Sequence, residues 1–191
     1  MAIAIKPGDI IIVNNKDGNF LSSAIQFFTK SWSHTAIGFF PFPGKFPVQT
    51  IFEANLTTGI TEWDKTYDDL QYDLRVYRWT KDIGIEKILW EIFSEYNGNI
   101  YGWGQLLWFV WRWVVEKINL PTRWARRNFF PDKEICTEVV YVVFKKLNNP
   151  TVNAALEKLN KDQNTVHPGD IIFICEELRK AELLELIYAR E

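Results

Sequence analysis

Hydrophobic residues in the first half of the chain come in short bursts of strand length, whereas in the second half they recur at helical spacing. Lys6-Pro-Gly-Asp9 is a turn feeding Ile10 to Val13, a strand apolar on both faces. A polar loop, Asn14 to Asn19, leads to a short helix ending near Lys30, with Leu21, Ala24, Ile25 and Phe28 on one face. Ser33 to Phe40 reads as a strand, Pro41 to Pro47 as a turn, and Val48 to Ala54 as the hairpin partner. Leu74 to Trp79 is a third strand of this group.

Beyond residue 84 the period changes. Ile85, Ile88, Leu89, Ile92, Phe93 and Tyr96 form one helical stripe, and Gly98 is its stop. Leu106 to Val115 is apolar except for Arg112, too short to cross a membrane, which takes about 20 apolar residues. Val139, Val140, Val143 and Leu147 predict a buried helix with Cys136 in its first turn and Lys145-Lys146 at its end. Thr151 to Asn160 is another short helix. His167-Pro-Gly-Asp170 is expected to open a strand, Ile171 to Cys175, and Glu176 to Arg190 to form an amphipathic C-terminal helix. Pro7-Gly-Asp-Ile-Ile11 and Pro168-Gly-Asp-Ile-Ile172 then read as one turn-to-strand solution used twice, with no repeat around them.

Composition narrows the class. The 191 residues, 47% hydrophobic and with nine tryptophans, suit one α+β domain over 1–191 that carries an aromatic-rich insertion at about 105–130. A formal net charge of −2 argues against nucleic acid as a partner. No secretory signal opens the chain, so a cytoplasmic location is expected. Two histidines and two cysteines, all separated, give no zinc spacing, and neither a Walker loop nor a Gly-x-Gly-x-x-Gly is present. Asp64, Asp68, Asp69 and Asp73 lack the spacing of a calcium loop. No metal and no cofactor is expected; a Cys136–Cys175 bridge stays open.

The candidate chemistry centres on Cys136. Unpaired amides in the first turn of a helix favour a thiolate. The helix dipole supplies only about 0.3–1 kcal/mol, so a nearby cation must do most of the activation. A small core hydrophobe is the plain alternative for such a cysteine. His167, before a proline, suits a solvated loop, so His34 is the better base. Ala36 and Gly38 share the face of His34, and these small side chains leave room for the Cys136 helix. Glu53, on the neighbouring strand, is placed either to orient the imidazole or simply to face solvent.

Ser33-His34-Thr-Ala-Ile-Gly38, then Phe52-Glu53-Ala54 with Gly59-Ile60, then Cys136-Thr-Glu-Val-Val140 resembles the circularly permuted branch of the NlpC-type papain-like superfamily, with its YiiX-like members. The resemblance spans residues 6–175. It implies a small antiparallel sheet packed against the helix carrying the cysteine. Cys136 becomes the nucleophile, His34 the base and Glu53 the orienting group. Tyr101 and Trp103, in Tyr-Gly-Trp-Gly, are similar to a substrate-binding segment of that family. The activity implied is a cysteine hydrolase or amidase of cell-wall-peptide type, working through a thioester. Lipid ester hydrolysis or acyl transfer of the lecithin:retinol acyltransferase type is the runner-up, and a non-catalytic peptide- or lipid-binding module the third reading. Thr137 and Val139 depart mildly from the family's usual serine and leucine. The stretch 105–130, with tryptophans among Arg112, Arg123, Arg126 and Arg127, is the larger departure and a candidate for peripheral membrane contact.

Overall fold

The all-apolar run from Ile10 to Val13 has no solvent face, and in the fold it lies near the middle of a sheet. A computed structural model of the chain describes residues 3–15, 32–41, 49–54, 57–63, 72–99, 136–161 and 163–190. The expected helix at 21–30, Tyr101, Trp103 and the 105–130 stretch lie outside these residues.

The strands are β1 (Ile10–Asn15), β2 (His34–Phe39), β3 (Thr50–Ala54), β4 (Thr58–Glu62), β5 (Tyr72–Trp79) and β6 (Leu184–Arg190). They form one antiparallel sheet in the order β4-β3-β2-β1-β5-β6. Among the described residues the helices are α1 (Ile85–Tyr96), α2 (Cys136–Leu147), α3 (Pro150–Leu159) and α4 (Pro168–Lys180), with a 3-10 turn at Gln163–Thr165. The architecture is α+β, and the sheet is larger than the small one expected. None of these helices is long and apolar enough to cross a membrane.

α2 is the centre of the core, buried without a break from Cys136 to Phe144. Beneath it lie Ile10, Ile12, Ile37, Phe39, Phe52 and Ala54 of the sheet. Leu89 and Ile92 of α1 flank it on one side, Val152 of α3 and Ile171, Ile174 and Leu178 of α4 on the other. The opposite face of the sheet buries Ile11, Val13, Ala36, Ile51, Leu74 and Val76 with Ile5 and Trp63.

That division corrects one expectation. α2 packs on the face of Ile37 and Phe39, not on the small-residue face of Ala36 and Gly38. The space at Gly38 belongs to the N-terminal segment instead: a Cβ there would stand 2.1 Å from the Lys6 carbonyl oxygen. The turn is stitched to β2 at the same place, where Gly8 N donates to Gly38 O and Gly38 N to Asp9 O. Gly8 itself has a φ of 87°, a left-handed geometry that favours glycine. Asp9, 1% exposed, fixes the turn from below by accepting from Lys6 N and from Nε and Nη2 of Arg78 on β5. Arg78 Nη2 also donates to Ala4 O.

The second Pro-Gly-Asp-Ile-Ile behaves differently from the first. Pro168 to Lys180 is a helix, not a strand, and of the stretch Glu176 to Arg190 expected to be helical, residues 176–180 are, while Leu184–Arg190 turns back as β6. The aspartates act alike, Asp9 accepting from Lys6 N and Asp170 from His167 N at 3.0 Å. The turns part at the glycine: Gly8 takes a φ of 87°, whereas Gly169 lies within the helix, whose first position tolerates Pro168. Ile171, Ile174, Cys175 and Leu178 then fall on one buried face. At the far end Ala181 to Leu183 reverse the chain, Glu182 taking a φ of 59°, and β6 pairs with β5.

Candidate active site

A carboxylate in the middle of a buried strand must find partners, and among the described residues Glu53 meets His34 and Thr61. Ala36 lies directly across from Glu53 in the β2–β3 register, so Glu53 shares its face with His34 two residues earlier on β2. The imidazole Nε2 lies 2.7 Å from Glu53 Oε2, and Thr61 Oγ1 of β4 donates to Glu53 Oε1 at 2.7 Å. Glu53 is 1% exposed and the His34 side chain 15%. Solvent reaches the imidazole edge but not the carboxylate.

Cys136 joins them from above as the first residue of α2. Thr35, next to His34, is fully buried on the α2 side of β2, and its hydroxyl donates to the Cys136 carbonyl oxygen at 3.0 Å. Thr137 Oγ1 donates to Val166 O at 2.8 Å, pinning the same turn of helix to the segment before α4. The thiol therefore meets His34 at the N-terminal end of β2 and not across the sheet face. Nε2 of the imidazole faces Glu53, and Cys136 acts on the ring through its charge and a side-chain hydrogen bond.

The electrostatics follow from this packing. Burial works against the imidazolium. The charge and hydrogen bond of Cys136, then the hydrogen bond and charge of Glu53, more than offset it and raise the His34 pKa to about 10. Between Cys136 and the Glu53 carboxylate, the imidazolium form of His34 is the one favoured. The cation that the helix dipole could not replace is thus present.

The other histidine and cysteine are occupied elsewhere. His167 is partly buried at the N-cap of α4, not in a solvated loop, with Lys161 and Asp170 beside it; burial holds its pKa below the ordinary value. Cys175 is fully buried in α4, and burial, followed by the Glu176 charge, pushes its thiol pKa up. Both cysteines are free, so the Cys136–Cys175 bridge is not made.

Of the five residues singled out in the sequence, Cys136, His34 and Glu53 come together, while Tyr101 and Trp103 lie outside the described residues. Thr35 and Thr61 were missed. β4 has no counterpart in the sequence reading, although Thr57 to Glu62 is rich in β-branched residues, the signal that would have placed a strand there. Among the described residues no cluster of His, Cys, Asp and Glu is arranged to hold a metal ion. Comparison of the chain with protein-family models and with curated proteins finds no match.

Proposed function

We propose that the protein is a cysteine-dependent hydrolase that cleaves a peptide or amide bond through a thioester acyl-enzyme, on a papain-like fold in permuted order. The observation that carries this reading is the contact of three side chains: Cys136 at a helix start, against a histidine that a buried carboxylate holds. In this scheme the Cys136 thiolate attacks the substrate carbonyl carbon and forms the C–S bond. Backbone amides of the first turn of α2 are suited to the oxyanion that results. His34 passes its proton to the amine nitrogen as the C–N bond breaks. A water molecule then attacks the thioester and gives its proton to His34, and the thiolate leaves with its electron pair. Glu53 transfers no proton; it fixes the ring orientation and steadies the imidazolium.

The direct test is to trap the acyl-enzyme. Short peptide and short acyl-ester substrates are offered in turn, and the quenched protein is mapped by mass. A peptide-derived acyl group on Cys136 supports the reading. Ester-derived acyl alone moves the function to lipid-type acyl chemistry, and no adduct with either defeats an enzymatic role.

The pH dependence carries a second expectation. The donor of the leaving-group proton is imidazolium, so activity should fall on the alkaline side as His34 deprotonates, near pH 10. Glu53 raises that pKa, so Glu53→Gln should bring the alkaline limb to lower pH. A limb that stays in place in the variant would remove Glu53 from the mechanism. The measurement is kcat/KM against pH.

A further inference from the structure

Glu53 is an expensive residue to bury. A carboxylate has about four lone-pair positions and, when ionised, only accepts. Its neighbours on this face of the sheet include Ala36, Ile51 and Trp63, which offer no compensating charge. A carboxylate oxygen that is not held leaves the group able to turn about its last torsion, and burial favours the neutral acid.

Thr61 prevents both. It lies across from Ile51, and Gly59 lies across from Glu53, so Thr61 is the diagonal neighbour of Glu53 on the same face. Its hydroxyl reaches the oxygen that His34 does not use, at 2.7 Å, a length typical of a hydroxyl bound to an ionised carboxylate. The two oxygens are thereby assigned: Oε1 to Thr61, Oε2 to His34. The ionisable groups meeting at His34 are Cys136 from α2 and Glu53 from β3. The first turn of α2 also carries the buried Glu138.

We infer that Thr61 is a positioning residue of the site, a fourth member of the line Cys136–His34–Glu53–Thr61, which holds the Glu53 carboxylate ionised and turned toward the imidazole. The inference rests on the thiol-hydrolase reading. Thr61 touches no substrate in this scheme and acts only through Glu53.

The test compares Thr61→Val with Thr61→Ser in the full chain. Valine keeps the shape and the strand preference but loses the donor; serine keeps the donor. The readout is the rate of Cys136 alkylation by iodoacetamide as a function of pH, with the thermal midpoint recorded for each variant. Thr61→Val should raise the pH at which Cys136 becomes reactive by about one unit. Thr61→Ser should follow the parent. The inference is overturned if Thr61→Val superimposes on the parent, or if serine is as impaired as valine, which would assign the effect to packing. Failure of the underlying reading looks different. The parent itself would then titrate as an ordinary thiol and would be indifferent to His34→Asn.

Discussion

Asparagine in place of His34 should turn Cys136 into an ordinary thiol. On the proposed mechanism the imidazolium beside it makes the thiolate the resting form, so alkylation of the parent by iodoacetamide should change little with pH around neutrality. Without the imidazolium, the helix start contributes less than one pKa unit, and the rate should rise about tenfold per pH unit up to the ordinary thiol range near 8.5. Turnover should fall by about 10²–10⁴-fold, the usual contribution of a positioned acid–base group. His167→Asn should leave the alkylation profile unchanged, because His167 is held at the N-cap of α4 by Lys161 and Asp170. Peptide mapping should find the label on Cys136 and not on the fully buried Cys175. Coincident profiles for the parent and His34→Asn would reduce Cys136 to a core residue.

The largest effect on stability is expected far from the thiol. Arg78→Met removes both guanidinium bonds to Asp9 and leaves a carboxylate buried to 1% exposure with no opposite charge among its described contacts. Removing one partner of a buried pair typically costs about 3–5 kcal/mol. For a chain of this size that is a fall in thermal midpoint of roughly 6–20 °C. The double variant Asp9→Asn with Arg78→Met should recover part of the loss, since no charge is then stranded. Scanning calorimetry of the parent, the single and the double variant settles the matter. A single variant within about 1 kcal/mol of the parent would mean that solvent enters the Asp9 site and screens it.

How far the sequence could be read depended on whether a signal was local. The stripe Ile85 to Tyr96 and the run after Cys136 are long enough for their period to be unambiguous, and both are helices at nearly the expected limits. Ile171 to Cys175 is short and apolar throughout, where strand and helix look alike, and the Pro-Gly-Asp turn before it does not decide, since the same aspartate bond precedes β1 and α4. The same error displaced the segment after it, so that β6 was expected as helix. His34 and Cys136 were legible because histidine and cysteine each occur only twice in this chain, and Glu53, one of fourteen glutamates, was singled out by its place on the strand beside His34. Thr35 and Thr61 were not, since the meaning of a threonine hydroxyl here comes entirely from register. Which face of β2 receives α2 was misjudged for a related reason. Gly38 announces a close approach but not by what, and the answer was a backbone carbonyl from residue 6.

The spacing of the site residues along the chain has a consequence for the order in which the site matures. His34, Glu53 and Thr61 sit on three successive antiparallel strands, with contacts spanning 19 and 8 residues. Thr35 and Cys136 are 101 residues apart. Contacts closed over short loops form early and at low entropic cost, while distant ones wait for the chain between them. On the proposed mechanism, the base and its carboxylate can therefore be assembled before the nucleophile arrives, and docking of α2 is the step that creates the ion pair. Until then Cys136 would be an unactivated thiol, so a chain still folding should carry little of the reactivity proposed for the finished protein. In a refolding experiment, fast alkylation of Cys136 near neutral pH would be a clock for that last step.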